Sequence, residues 1–219
     1  MKKLIFKLLF WILIILLIIF SIILGLGYLK YRNAIDKSSI SNKIEEIRNY
    51  ENYTKLDDIS TNYRNAVVAI EDHRFYNHSG IDVLSIIRSA YVNFKNKSLA
   101  YGASTIPQQV GRLMYFTQEK SFVRKVSEIF VAFELEKSYS KDEILELYLN
   151  LMYFGNGYYG ITEASYGYFD KSPENLTLYE ATYLAGLPNA PSIYSENDEL
   201  AEERRLQVVD AMKKHGYID

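Results

Sequence analysis

Residues 69–82 read Ala-Ile-Glu-Asp-His-Arg-Phe-Tyr-Asn-His-Ser-Gly-Ile-Asp. The apolar run Ala66 to Ile70 leads straight into two carboxylates, Glu71 and Asp72. A carboxylate at the end of an apolar segment is partly desolvated, which favours its protonated form and raises its basicity. A general base working near neutral pH needs that property. Glu71 is therefore the candidate base, with Asp72 and His78 as polar groups in reach of a ligand. The same residue types at an exposed helix end would be ordinary solvated charges, so the accompanying residues decide the reading.

Three further clusters accompany them. Gly102-Ala103-Ser104-Thr105-Ile106-Pro107-Gln108-Gln109 crowds hydroxyls and amides at a helix start, with Pro107 tolerable in the first turn. Ser104, Thr105, Gln108 and Gln109 offer the neutral hydrogen bonds that suit a sugar, or a phosphate at a helix N-terminus. They could equally be a capping motif followed by surface glutamines. Next, Arg112, Lys120, Arg124 and Lys125 face a single acid, Glu119, between positions 112 and 125. Clustered cations suit pyrophosphate oxygens, or form a solvated helix face. Glu128 lies four residues after Arg124 and can pair with it. Finally, Asn150 ends an apolar helix before the glycine-rich turn Phe154 to Gly160.

Hydrophobic spacing supplies the elements. Leu8 to Leu29 is 22 uncharged residues, about 33 Å as a helix, enough for a hydrocarbon core of about 30 Å. It exceeds the apolar region of a signal peptide, and no clear small-x-small cleavage site follows. Lys2, Lys3 and Lys7 precede it and Lys30, Arg32 and Lys37 follow, so charge barely decides orientation. Only a short stub precedes the span, which places the domain outside. Residues 30–60 read as a stalk or first helix, with an amphipathic candidate at Ile44 to Tyr50. Helices are expected over Asn62 to Ile70 and over Asp82 to Phe94, the latter N-capped by Asp82 with Val83, Ile86, Ile87 and Ala90 on one face. Lys95 to Gly102 reads as a mobile loop. Phe122 to Lys137 has the stripe Val123, Val126, Ile129, Phe130 and Phe133. Ser140 to Glu143 and Thr177 to Glu180 are capping boxes. Ile144, Leu145, Tyr148 and Leu149 form the core stripe of the helix after the first box. A last amphipathic helix, Ala201 to His215, should turn Leu206, Val209 and Met212 inward. Strand signals are nearly absent.

These clusters, in order, resemble the five signatures of the peptidoglycan glycosyltransferases, the polymerase module of class A penicillin-binding proteins (glycosyltransferase family 51). The first is Glu71-Asp72-x-x-Phe75-x-x-His78-x-Gly80. The second is Gly102 to Gln109, with Ala103 and Pro107 where glycine and threonine are usual. The third is Arg124-Lys125-x-x-Glu128, with Ser127 where lysine is common. The fourth runs from Glu146 through Leu149-Asn150 to Tyr153-Phe154-Gly155, and mainly braces the fold. The fifth is Leu184 to Pro191. About two thirds of the chain, Ala66 to Tyr194, carries the resemblance.

It implies a mostly α, lysozyme-like domain of two lobes over residues 61–219, the smaller lobe against the bilayer. A cytoplasmic stub (1–7) and a single transmembrane helix (8–29) precede it, so the protein would be a single-pass cell-membrane enzyme with an extracytoplasmic catalytic domain. No serine–lysine penicillin-binding signature follows, so a monofunctional enzyme is expected. The implied partners are lipid II and a nascent glycan on undecaprenyl pyrophosphate, with room for other cell-wall synthesis proteins. Glu71 would be the base and Glu128 the second carboxylate, holding the pyrophosphate-binding cations or a divalent ion, Mg or Mn. No cofactor is otherwise called for. A lysozyme-type glycan hydrolase and a catalytically silent scaffold are the rival readings.

Composition agrees with an exported, non-nucleic-acid protein. The chain has 25 Lys and Arg. Three lie in the first seven residues, and the other 22 face 27 Asp and Glu, which leaves no basic footprint for nucleic acid. There is no cysteine, so disulfides and thiolate metal sites are excluded.

Overall fold

A computed structural model describes residues 2–96, 102–117 and 119–219. Among them every extended element is helical, with only two isolated β-bridges, as the mostly α expectation requires. The helices are α1 (Lys2–Lys37), α2 (Ile40–Arg48), α3 (Thr61–Glu71), α4 (Val83–Asn96), α5 (Ile106–Tyr115) and α6 (Phe122–Ser138). They continue with α7 (Lys141–Leu151), α8 (Gly160–Phe169), α9 (Leu178–Gly186), α10 (Pro191–Tyr194) and α11 (Asp198–Lys214). The loop expected over Lys95 to Gly102 lies mostly at 97–101, outside the described residues, and α4 runs on through Asn96.

Capping residues set the boundaries. Asp82 Oδ1 accepts from the backbone N–H groups of Leu84 and Ser85, at 3.0 and 3.1 Å. Both capping boxes form, Ser140 with Glu143 and Thr177 with Glu180. Each satisfies two N–H groups that the first turn leaves unpaired. At the start of α8, Gly160 has φ +77°, and a Cβ there would stand 2.8 Å from the Asn150 carbonyl oxygen. Only glycine fits that turn.

The apolar span is part of the 36-residue α1, about 54 Å long at 1.5 Å per residue. Most of its large side chains up to Leu29 are exposed, with Ile14 and Ile23 half-buried. Beyond them the chain does not form a detached stalk. Tyr31, Ile40, Ile44, Ile47, Leu56 and Ile59 are buried in the same core as α3, α5 and α7. Residues 30–60 therefore belong to the packed unit, because α2 offers its apolar face at 40, 44 and 47 to that core.

α1 is seated on α6. The Ser127 hydroxyl donates to the Gly27 carbonyl at 3.0 Å, Tyr31 pairs with Glu134, and Tyr28 and Tyr31 pack on the Phe130 ring. A side chain at Gly27 would collide with Val126. Gly27→Val should therefore cost about 1–3 kcal/mol through overpacking and lower the thermal unfolding midpoint of the full chain in detergent. Ser127→Ala should cost about 1 kcal/mol.

The structure locates three helix faces and corrects one. The apolar stripe of α6 is only half-buried, with Phe133 exposed; the buried residues are Ser127, Glu128, Val131, Ala132 and Leu135. The helix is clasped from two sides, its apolar stripe by α1 and its Glu128 side by α5, where Gly111 lies against Val131. In α11, Ala201, Val208 and Met212 are buried and Leu206 is exposed, because α3 and α9 meet the helix on the face of small residues. In α4, no residue from 83 to 95 is buried; Val83, Ile86 and Ile87 are on the surface with Leu84, Tyr91 and Phe94.

Candidate active site

Glu71 is the last residue of α3, half-buried at the helix end. Gln109 Nε2, on α5, donates to Glu71 Oε2 at 2.8 Å. The orientation of that amide is set from its other side, where Tyr148 Oη donates to Gln109 Oε1 at 3.1 Å and Arg112 Nη2 approaches the same oxygen at 3.4 Å. Tyr148 is buried, and burial followed by the Glu71 charge pushes its pKa well up. The phenol therefore stays a neutral donor. Tyr63 is fully buried and shifted in the same direction by burial and by Glu71. Among the described residues Gln109 donates to the carboxylate, and the Tyr63 and Tyr148 phenols lie close enough to feel its charge.

Sequence spacing did not indicate Tyr148. It reads as core stripe, although a buried tyrosine hydroxyl needs a partner, and that need was the available signal.

The cations gather around the second carboxylate. Glu128 is 2 % exposed. Its Oε1 lies 3.0 Å from Arg124 Nε and its Oε2 lies 2.9 Å from Lys125 Nζ. Lys125 also donates to Ser104 Oγ at 2.7 Å. Its pKa is lowered, first by burial and then by the charges of Arg112 and Arg124, while Glu128 opposes the shift. Arg112 is therefore close enough to be felt by Lys125, and it sits one helical turn from Gln109. Glu71, Gln109 and Arg112 are joined across α3 and α5, and Arg124, Lys125 and Glu128 form an ion cluster on α6 that the Arg112 charge reaches. Lys120 is exposed on the lead-in to α6, with no bond tying it to this group among the described residues.

The remaining candidates join protein to protein. Asp72 is buried; His78 Nε2 lies 2.9 Å from both its oxygens, and Ile106 N–H donates to Oδ2 at 3.0 Å. The Thr105 hydroxyl donates to the Gly80 carbonyl at 2.6 Å, with Gln108 Nε2 at 3.4 Å from the same oxygen. The first two motifs are thereby stitched into one loop-and-helix unit. Asn150 Nδ2 donates to the Thr54 and Glu146 carbonyls, and its Oδ1 accepts from Thr54 N–H. It braces residue 54 against α7.

Two carboxylate groups could be considered for a metal. Asp72, His78 and Asp82 bring ligand atoms within 4.8 Å of one another. Their oxygens are already taken by Ile106 N–H, His78, Leu84 N–H, Ser85 and, at 3.3 Å, Arg74. Both oxygens of Glu128 are held by cations. Neither set fits a divalent ion, which would have to displace positive charge or backbone donors.

Next to this unit, the His73 ring stacks on His215 at 4.1 Å, and Arg88 Nη1 lies 3.2 Å from His73 Nε2. Burial first, then His215 and Arg88, lowers the His73 pKa below its ordinary 6.5, against Asp72 and Asp82. Burial, Lys214 and Arg88 lower that of His215. Below pH 6.5 the unfolded chain binds protons that these folded rings refuse, so stability falls as pH drops from 6.5 towards the lowered folded values. Hydrogen exchange should report a looser last turn of α11 at about pH 5.5 than at about pH 7.5, and His215→Phe should remove most of that difference.

Comparison with known proteins agrees with this arrangement. The sequence model of the transglycosylase family matches residues 37–213. The chain is 46 % identical over 168 residues to penicillin-binding protein 1A of Neisseria gonorrhoeae, covering 76 % of this chain and 21 % of that protein. It is 42 % identical over 165 residues to penicillin-binding protein 1F of Bacillus subtilis, 74 % of this chain and 23 % of the relative. A protein of Cupriavidus necator, provisionally named a transglycosylase, is 41 % identical over 173 residues, 78 % of this chain and 74 % of that one. The chain therefore spans about a fifth of the penicillin-binding proteins it matches and about three quarters of the Cupriavidus protein. With a helical core, a glutamate held by Gln109 and a cation cluster on α5 and α6, this chain belongs to the transglycosylase family.

Proposed function

We propose that the protein is a membrane-anchored peptidoglycan glycosyltransferase that joins lipid II units into β-1,4-linked glycan and releases undecaprenyl pyrophosphate. The observation that carries this reading is the link from Glu71 through Gln109 to Arg112, whose charge reaches the cations around Glu128. A hydrogen-bonded carboxylate on α3 and a group of cations on α5 and α6 support a base and a pyrophosphate site.

Glu71 takes the proton from the acceptor 4-hydroxyl as that oxygen attacks the donor's anomeric carbon. Gln109 holds the carboxylate in position. As the bond to pyrophosphate breaks, Arg112, Lys120, Arg124 and Lys125 meet the developing charge, and Ser104 offers a hydroxyl beside Lys125. Glu128 aims Arg124 and Lys125 and has no step of its own. Asp72, His78, Thr105, Gln108 and Asn150 are positioning residues rather than ligand contacts.

α1 anchors the enzyme in the cell membrane with the domain on the extracytoplasmic side. The exposed apolar face of α4 suits a lobe resting on the bilayer, where both substrates keep their lipid tails.

A glycan hydrolase needs two carboxylates flanking one bond. Glu128, paired with Arg124 and Lys125, is poorly placed to be the second of them. The test is to give the detergent-solubilised full chain labelled lipid II or preformed glycan. Elongation of lipid II with glycan left intact is expected; shortening of the glycan overturns the proposal.

A further inference from the structure

We propose that the junction of α1 with α2, α5 and α6 is a binding site for an anionic glycerophospholipid, separate from the catalytic cations. The proposal rests on α1 lying in a bilayer and not on the glycosyl-transfer reading.

A cavity of about 690 Å³ opens there, within the range that takes a lipid headgroup and the first part of its chains. Along α1 its wall runs Leu26, Lys30, Asn33, Lys37, a spacing of four, three and four that keeps these residues on one helix face. The wall is apolar at the bilayer end and basic at the other. An anionic lipid has the same polarity, with its tail beside Leu26 and its phosphate between the lysines. Leu29, Met114 and Val123 continue the apolar floor.

Lys43 of α2 closes the basic rim, and no carboxylate lines the cavity among the described residues. The rim lysines are weakly engaged by the protein. Lys30 reaches Glu119 only at 4.0 Å, with that carboxylate 67 % exposed, and packs over the Phe116 ring. Lys43 pairs with exposed Glu46. Lys37 forms no ion pair among the described residues. Three ammonium groups without an interior counter-charge follow the uncharged run, Lys30 one residue past it, on the side where lipid phosphates would lie. With no acid among the described lining residues, and Glu119 and Glu46 only beyond the rim lysines, the cavity favours an anionic over a zwitterionic headgroup. Arg112, Arg124 and Lys125 do not line this cavity, so the lipid would not occupy the pyrophosphate site.

The experiment uses the full chain in phosphatidylcholine nanodiscs containing trace spin-labelled phosphatidylglycerol or, separately, spin-labelled phosphatidylcholine. The motionally restricted fraction is read by electron paramagnetic resonance. Phosphatidylglycerol should be preferred, and Lys30→Gln, Lys37→Gln and Lys43→Gln should each lower the preference about fivefold. Lys37→Arg should keep it, as should the distant Lys213→Gln. Added farnesyl pyrophosphate should leave the restricted phosphatidylglycerol in place. Equal restriction of the two lipids, or a preference untouched by the glutamine variants, overturns the proposal. So does displacement by the prenyl pyrophosphate, which would mark the cavity as part of the substrate path.

Discussion

Glu71→Gln should slow glycan polymerisation about 10²–10⁴-fold if Glu71 is the proposed base, the usual effect of losing a general base. The substitution keeps the shape and an acceptor oxygen for Gln109, so α3 and α5 should stay packed as they are. Substrate affinity should change little, because the proton-accepting role exists only as the acceptor hydroxyl attacks. The measurement is polymerisation rate against lipid II concentration for both proteins, with circular dichroism to show that the variant is folded. A rate close to that of the unsubstituted enzyme would remove Glu71 from the base role. Gln109→Leu is the companion variant. It leaves the carboxylate present but without the amide that donates to it, and should lose part of the rate without abolishing it.

Glu128→Gln should have the second largest effect, on stability and rate together. Glu128 is buried with side-chain exposure of 3 %, between Arg124 at 11 % and Lys125 at 35 %. Removing its charge leaves two cations beside each other and near Arg112. Breaking a buried pair of this kind costs at most about 3–5 kcal/mol, and the exposure of Lys125 puts the expected value at the lower end. The rate should fall about 10²-fold or more, because Lys125 would be free to leave Ser104 and the leaving-group site. Thermal unfolding and single-turnover polymerisation measure the two effects separately. A stable, fully active Glu128→Gln protein would show that Arg124 and Lys125 need no such partner.

Local chemistry made much of this protein legible from sequence. The capping boxes at Ser140 and Thr177, the Asp82 cap and the apolar span all depend on residues within a few positions of one another. They form as expected. The pairing of Arg124 with Glu128 belongs to the same class.

Sidedness was harder to read. α6 has two buried sides because α1 packs on one and α5 on the other, and a single periodic stripe cannot encode both. α11 turns Ala201 and Val208 inward, and leaves Leu206 outside, because its neighbours approach closely over small residues. The apolar residues of α4 share one face by spacing, but among the described residues none of them is buried.

The site depends most on contacts across long separations. Asp72 with Ile106, Tyr148 with Gln109 and Asn150 with residue 54 join residues 34 to 96 positions apart. Spacing marks such residues as polar and well placed, but does not say whether they meet a ligand or each other. That is why Asp72 and His78 look like ligand contacts in the sequence and like braces in the fold.

One claim underlies the account: a single carboxylate drives one direct displacement at the donor sugar. The anomeric configuration of the new bond tests it most directly. Lipid II carries its pyrophosphate in the α configuration, so nuclear magnetic resonance of the polymer should show β-1,4 linkages between units. An α linkage would require two successive displacements through a covalent intermediate, and would contradict the role given to Glu71.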